Sequence, residues 1–425
     1  MTAPILPRLI APSACLCLFL ALPSGLGAAS LQEAINQASA PSQDPKVQAA
    51  SPSATEDSTI TAKAAEATVR HLASKDFRGR RAGSRSGGKA ASWVAQQLLT
   101  LELEPGNKGS WFQEFPLPHD TMGRNVIGIL SPTKPVEDYI VIGCHHDGQG
   151  SLGDKGYKPS ADDNASGVAA MLMLAEHFGK LRDKLKVNLA FVSFDGEELG
   201  LIGSRYFVAR EVLPVDRIRF MMVFDLLGGR FFPWDEPRLF VMGSEYSHEV
   251  RSIADARSKK QPMQVDLLGT YVLEPVGALS ARSDYAAFRK ARIPYLFLST
   301  ATPWYYHTIH DTPDVVDYDL VAKNTRYAAS VLLDLASQDA RPGFIRKPET
   351  DIREARIMLR GVQGYLDHAK EIRLPEKGQK AFAKHKARLE KILTQGKIGS
   401  RDARSLQQAL VACFRWVSYT KNYKK

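Results

Sequence analysis

Cysteine is scarce in this sequence, with four residues in 425. Two of them, Cys15 and Cys17, lie in an apolar N-terminal segment, which leaves Cys144 and Cys413 for the rest of the chain. Two cysteines so far apart do not form a disulfide framework. They either pair in an oxidising compartment or are two buried free thiols. The fold must therefore be stabilised mainly by a hydrophobic core, which a chain of this length can bury.

No apolar run in the sequence is long enough to span a membrane as a helix. The apolar run at 14–22 is short, is preceded by Arg8 and is followed by the small residues 27–29. This order predicts a secretory signal peptide over residues 1–29 and hence a secreted or periplasmic protein. A lipid anchor on one of the two cysteines of this segment is the alternative.

Acidic residues are scarce at the C-terminal end. Residues 341–425 contain 21 Lys and Arg against eight Asp and Glu, so this segment carries more than the whole net charge of +10. No base-reading motif accompanies the charge, which argues against a nucleic-acid partner. Helical patterns predict a basic helical C-terminal extension over 341–425. Its charges either form a solvated face or contact the main domain, a partner or an anionic surface.

The remaining sequence divides into two parts. Residues 30–60 are rich in Ala, Ser, Pro and Gln with few large apolar residues, which predicts a flexible linker. Between 61 and 338, helical patterns alternate with short apolar runs. This alternation predicts an α/β domain. Its central sheet is expected to be mixed but mainly parallel, with helices on both faces. The runs that predict strands are 139–143, 187–194, 219–224 and 294–298.

Acidic or imidazole side chains follow each of these predicted strands. The carboxyl ends of parallel strands form the ligand-binding edge of such a sheet, so these side chains should converge. A fifth loop, 159–167, leads into a predicted helix and can join them. The side chains in these five loops are His145, His146, Asp147, Asp162, Asp163, Glu197, Glu198, Asp225, His307, His310 and Asp311.

Each of these loops taken alone has a structural explanation. Asp and Asn cap helices, and carboxylates are favourable at helix N-termini. A single histidine after a strand is more often a hydrogen-bonded structural residue than a ligand. Five such loops on one edge are different, because their carboxylates would repel one another without a cation. Carboxylate and imidazole ligands without a thiolate suit zinc or a similar divalent ion.

Six motifs occur in order between residues 72 and 335: GCHHDGQG, PSADDNASGVAAM, FDGEELGLIGS, VFDLLGG, RSDYAAF and YYHTIHDTPD. This set resembles the co-catalytic zinc aminopeptidases of the bacterial leucyl aminopeptidase type. Their superfamily includes glutamate carboxypeptidase and the transferrin receptor ectodomain. The resemblance implies a phosphorylase/hydrolase-like sheet and a metallopeptidase catalytic domain over 61–338.

The resemblance also implies two Zn²⁺ ions and a residue for each ligand position. One ion would be held by His145 and Asp225, the other by Glu198 and His307, and a shared carboxylate, Asp163, would bridge them. Family members commonly have another residue where His146 stands, so His146 is expected to line the site without binding metal.

The same resemblance assigns the remaining roles. Glu197 would act as general base towards a metal-bridging water and would then protonate the leaving amine. Tyr306 would hydrogen-bond the oxyanion. Apart from the resemblance, Arg282 directly precedes Ser283 and Asp284, and it either contacts the substrate backbone or carboxylate or pairs with an acid. Asp147 and Asp311 would orient the imidazoles.

The resemblance therefore predicts an exported zinc-dependent exopeptidase that acts on peptides, most simply an aminopeptidase. The complete ligand set argues against noncatalytic relatives, which lose ligands, and against the related glutaminyl cyclases, which use a reduced set around one zinc. A carboxypeptidase or dipeptidase shares these ligands and stays an alternative. A metal-stabilised binding protein without catalysis is an alternative of another class.

Overall fold

The computed structural model describes residues 59–270 and 282–423. The predicted signal peptide and nearly all of the predicted linker lie outside these residues. Within the described part, no helix is both long and apolar enough to cross a membrane.

A nine-stranded sheet forms the centre of the described structure. Its order is β1-β3-β5-β4-β6-β9-β7-β8, and β2 pairs with β3. The strands are β1 Glu104–Pro105, β2 Phe112–Leu117, β3 Thr121–Leu130, β4 Tyr139–His145, β5 Asn188–Phe194, β6 Ile218–Phe224, β7 Arg238–Met242, β8 Gln264–Leu268 and β9 Tyr295–Ser299.

The four middle strands, β5, β4, β6 and β9, are parallel to one another. Towards both edges the sheet also contains antiparallel pairs, β3 with β5 and β7 with β9. The middle strands coincide with the four strands predicted from apolar runs, because a parallel strand covered on both faces has a continuous apolar sequence. The predicted α/β fold with a mixed sheet is confirmed, and four of the eight strand pairs of this sheet are parallel and four antiparallel.

Helices cover both faces of the sheet. In chain order they are α1 Ala62–Leu72, α2 Arg85–Thr100, α3 Ser166–Gly179, α4 Ile202–Ala209, α5 His248–Ser258, α6 Tyr285–Lys290, α7 Tyr318–Ala336, α8 Ile352–Asp367, α9 Glu376–Gln395 and α10 Ser400–Trp416. Side chains of β4 alternate between two separate cores: Ile140 and Ile142 lie in one, Val141 in the other. The α3 and α7 helices pack in the first core and α8 to α10 contribute to the second.

The two cysteines of the described chain are buried on opposite sides of this sheet. Cys144 lies in the first core, where its Sγ atom is 3.7 Å from Met171 Sδ, and Cys413 lies in the second. Both are free thiols. Of the two alternatives that the sequence left open, the structure therefore has the unpaired one.

The C-terminal helices share a core with the sheet. Met358, Val362 and Tyr365 of α8 are buried in the same cluster as Val141 and Val223. The α8 helix begins with a capping box, in which Asp351 accepts from the first turn and Glu354 accepts from the Asp351 backbone. The basic extension therefore packs on the main sheet through its apolar face, while its α9 lysines, such as Lys380 and Lys384, are exposed.

Candidate metal centre

The candidate site lies at the carboxyl ends of the four middle strands. His145 is the last residue of β4, Asp225 directly follows β6, and the Glu197–Glu198 pair follows β5 after a short turn. The loop after β9 brings in His307. The fifth loop is the irregular turn Ala161–Ala165, which precedes α3 and carries Asp163. The predicted convergence of these loops at one sheet edge is what the structure shows.

Two groups of ligand atoms share one carboxylate. His145 Nε2 is 3.4 Å from Asp163 Oδ1 and 3.6 Å from Asp225 Oδ1. His307 Nε2 is 3.0 Å from Asp163 Oδ2 and 3.1 Å from Glu198 Oε2. Asp163 therefore presents one oxygen to each histidine. In each group the potential ligand atoms lie within 4.8 Å of one another.

Several of these atoms are buried without a hydrogen-bond partner. They are His145 Nε2, Asp163 Oδ2, Glu198 Oε1 and Asp225 Oδ1. A buried polar atom that makes no hydrogen bond carries a desolvation penalty of roughly 1–3 kcal/mol, and such atoms are uncommon in native proteins. Four of them converging on one region fit a cation site. The donor set of two imidazoles and three carboxylates suits zinc.

The electrostatics of the site also favour a cation. Burial alone would lower the pKa of His145, but surrounding carboxylates, with Glu197 the strongest, raise it well above its ordinary value. Burial opposes the charge of His307 as well, yet Asp163 and Glu198 raise its pKa to about 10. Burial, reinforced by Asp163, raises the pKa of Glu198 to about 6. Without a metal ion, bound protons supply the positive charge that these carboxylates attract.

Asp147 links the first histidine to the glutamate pair. Its Oδ1 atom lies 3.6 Å from His145 Nδ1, which is 3.2 Å from the backbone carbonyl oxygen of Asp147 and makes its hydrogen bond there. The same carboxylate accepts hydrogen bonds from the backbone N–H groups of Glu197, at 3.1 Å, and of Glu198, at 3.3 Å. Asp147 therefore fixes the turn that aims both glutamates.

Asp311 has a different task from the predicted one. The expectation was that it orients an imidazole. Instead its two oxygens accept hydrogen bonds from the backbone N–H groups of Asp162, at 2.7 Å, and of Asp163, at 3.1 Å. The carboxylate thus holds the loop of the shared ligand. The reason for the difference is that the loop turns its amides towards Asp311, a direction that sequence spacing does not reveal.

The general-base candidate lies among the ligand residues. Burial raises the pKa of the Glu197 carboxyl well above its ordinary value, and the neighbouring carboxylates of Asp225 and Glu198 act in the same direction while His145 opposes them. Such a raised pKa is typical of carboxyl groups that exchange protons during catalysis.

Tyr306 and Arg282 lie beside the ligand cluster. The Tyr306 ring stacks on the imidazole of His307, with ring centroids 3.7 Å apart. Both residues line a cavity that also borders Asp225. Arg282 is exposed, and its backbone N–H donates to the Tyr285 hydroxyl at 3.3 Å. Their side chains can therefore reach a molecule held next to the cluster.

His146 is enclosed instead of lining an open site. It is fully buried, its Nδ1 atom is 3.0 Å from Ser193 Oγ, and its Nε2 atom is 3.9 Å from Asp195 Oδ1. Burial lowers its pKa to about 4, so the imidazole is neutral. His310, the other histidine near the ligands, is exposed and contacts Trp304. Neither belongs to the two ligand groups.

Sequence reasoning missed two residues that shape the site. Arg80 is fully buried and donates to four backbone carbonyls, those of Leu72, His146, Pro159 and Ser160, at 2.7–2.9 Å. It thereby ties the β4 end to the loop of the shared ligand. Gln149 donates to Glu198 Oε2 and lies 3.3 Å from His307 Nε2. Arg80 lies in the sequence DFRGRRAGS and Gln149 lies in the motif GCHHDGQG. Neither residue type by itself indicates these contacts.

Comparisons with known proteins agree with the geometry. Residues 125–332 match the model of Peptidase family M28, and this range contains every candidate ligand. A probable leucine aminopeptidase of Arthroderma otae is 27% identical over 157 residues, which are 36% of this chain and 41% of that protein. A probable glutamate carboxypeptidase of Arabidopsis thaliana is 26% identical over 196 residues, covering 44% of this chain and 27% of that protein. The chain thus spans less than half the length of either relative.

Among solved structures, a zinc aminopeptidase from Bacillus subtilis superposes with a TM-score of 0.53 at 15% identity, covering 68% of this chain and 99% of that one. At this identity the match concerns the fold. The resemblance predicted from the six motifs is confirmed by the family match. The roles of the individual site residues stay predictions.

Proposed function

Residues 125–332 match the model of Peptidase family M28, and from this premise we propose that the chain is an exported, zinc-dependent aminopeptidase that hydrolyses the N-terminal bond of peptides. The observation that carries the proposal is the pair of ligand groups joined through Asp163, with Glu197 in the same anionic cluster. The relatives named as a leucine aminopeptidase and a zinc aminopeptidase support it.

We assign the two metal positions to the two groups. His145 and Asp225 would hold one ion, Glu198 and His307 would hold the other, and Asp163 would be shared. When bound, two zinc ions supply Lewis-acid chemistry, which activates water and polarises the scissile carbonyl. The buried atoms without hydrogen-bond partners support this assignment, because they belong to four of the five residues that would hold the ions.

The chain's own residues handle protons and substrate. Glu197 takes a proton from the attacking water and delivers it to the departing amine, and its raised pKa supports this role. Tyr306 donates a hydrogen bond from its hydroxyl to the developing oxyanion, and stacking on His307 holds its ring in place. Arg282 contacts the substrate backbone from the cavity that both residues line.

Export rests on the signal-peptide pattern of residues 1–29. N-terminal sequencing of the protein recovered from outside the cytoplasm tests it. We expect a mature chain that begins near residue 29. A full-length chain that stays in the cytoplasm contradicts export without touching the peptidase assignment.

The direction of attack on peptides is tested with one peptide in three forms: unblocked, N-acetylated and C-amidated. An aminopeptidase cleaves the unblocked and C-amidated forms and leaves the acetylated form intact, because it needs the free amine. The carboxypeptidase alternative, which the second relative's name favours, cleaves the unblocked and acetylated forms and leaves the C-amidated form intact, because it needs the free carboxylate. No cleavage of any form by the zinc-loaded protein supports the noncatalytic alternative.

A further inference from the structure

A cavity of about 290 Å³ adjoins the candidate metal centre. Asp225 and Tyr306 are among its lining residues, so it begins at the ligand cluster. Its other walls are mostly apolar, with the few polar groups that usually orient a ligand in such a pocket. The cavity can hold one large apolar side chain.

The walls come from two distant parts of the sequence. One side consists of sheet residues such as Phe240, Met242 and Phe297. The other side consists of the C-terminal helices: Met358 from α8, and Leu410, Phe414 and Val417 from α10 and the residue after it. The last three are spaced at i, i+4 and i+7, which places them on one helix face. These four residues lie beyond the family match, which ends at residue 332.

The loop that starts at Asp225 is packed onto these helices. Phe231 contacts Phe414 with ring centroids 5.1 Å apart. Phe232 lies against α8 at Gly361, where an added Cβ would be 2.5 Å from Phe232 Cζ. A side chain at position 361 is thus excluded by the approach of this ring. The contact fixes the C-terminal helices relative to a candidate metal ligand.

We propose that α8 and α10 form one wall of the substrate pocket and that Phe414 and Met358 make the enzyme select a large apolar side chain beside the scissile bond. The proposal rests on the peptidase function proposed above. It assigns the C-terminal extension a part in specificity, because, among the residues that the structure describes, these helices supply the apolar wall on that side.

Two variants and one control test the proposal. Phe414→Ala removes a wall, and Val417→Phe fills the cavity from a partly exposed position that tolerates the larger ring. Val411→Ala is the control, since Val411 is on α10, is exposed and does not line the cavity. Thermal unfolding of each variant establishes that it is folded.

Two measurements are made on each zinc-loaded protein. The first is kcat/KM for phenylalanyl and alanyl aminocoumarins. The second is calorimetric binding of phenylalaninol and alaninol, which contain no bond that a peptidase hydrolyses and therefore report binding without turnover. In the wild type and in Val411→Ala we expect a preference for the phenylalanyl compounds. Both pocket variants should lose about tenfold of this preference, with the alanyl values little changed.

The outcomes separate the two proposals. Absent turnover with the binding preference intact overturns the peptidase function and leaves the pocket standing. Preferences that are equal in the wild type, the control and both folded pocket variants overturn the pocket. An equal loss for phenylalanyl and alanyl compounds also overturns it, because the helices then act on the site as a whole and not on side-chain selection.

Discussion

Asp163 is the residue on which the candidate centre depends, because its two oxygens face two different histidines at 3.0 and 3.4 Å. Two separate hydrogen bonds fix the position of its loop. Asp311 holds its backbone N–H, and the neighbouring Asn164 donates to the carbonyl of Phe224, the last residue of β6, at 2.8 Å. The carboxylate is thus fixed before any cation arrives, which lowers the cost of binding two ions.

The adjacent glutamates are expected to differ in what their removal does. Glu198→Ala should lose about one metal ion per chain, because Glu198 belongs to the group with His307. Glu197→Ala should keep both ions and lose turnover by at least about a hundredfold, the scale of general acid–base catalysis. Elemental analysis and peptide hydrolysis on the same samples measure both effects. Equal metal loss in the two variants means that the roles are assigned wrongly.

Asp311 offers a test on a residue that is not a candidate ligand but holds the loop of one. Asp311→Asn replaces one oxygen by an NH₂ group that opposes a backbone N–H of the Asp162–Asp163 turn. We expect metal affinity to fall about 10- to 100-fold, the range for residues that support ligands. Competition with a zinc indicator measures it, and Asp314→Asn, an exposed site, is the control. Unchanged affinity shows that the turn holds without Asp311.

At the scale of residues, the sequence predicts which side chains meet but not how they are held. Strand positions predict that the loops converge, and the resemblance of the motifs implies the five candidate ligands. The tasks of Arg80, Gln149 and Asp311 do not follow from either, because each depends on where backbone carbonyls or amides point after the loops fold.

At the scale of elements, the four parallel strands were predictable and the outer part of the sheet was not. The middle strands are continuous apolar runs because both faces are covered. The outer strands β7 and β8 carry Arg238 and Asp266, which form a buried ion pair across the two strands. A charged residue in a short run hides a strand from hydrophobic patterns, although pairing makes the charge acceptable there.

The contact between α8 and the loop after β6 gives a prediction for one glycine. Gly361→Ala places a methyl group 2.5 Å from Phe232 Cζ, so the ring or the helix must shift. We expect a loss of about 1–3 kcal/mol in the free energy of unfolding, the usual cost of overpacking. Urea denaturation measures it.

The matched control is Gly88→Ala in α2. An added Cβ at Gly88 meets nothing within 4 Å. This change should stabilise the protein by about 0.5–1 kcal/mol, because alanine is the better helix residue. If both variants change stability in the same direction and by the same amount, the packing of Phe232 on α8 does not restrict position 361.

At the scale of the whole molecule, the described chain is a sheet with two cores, and the C-terminal helices complete the second. Amphipathic patterns predict that these helices exist. They do not predict the docking, because the receiving surface comes from Phe231, Phe232 and Trp234, more than a hundred residues earlier. The basic charge of the extension is consistent with this docking, since exposed lysines of α9 lie outside the core. Contact of these lysines with an anionic surface stays a prediction.

Two zinc ions at one edge of the sheet are proposed to make this chain an aminopeptidase. Hydrolysis of an unblocked peptide, followed as zinc is added back to chelator-treated protein, tests this claim most directly. We predict no activity without metal and a rise that reaches its maximum at two zinc equivalents per chain. Full activity in the metal-free protein, or none at any zinc concentration with two ions bound, would contradict it.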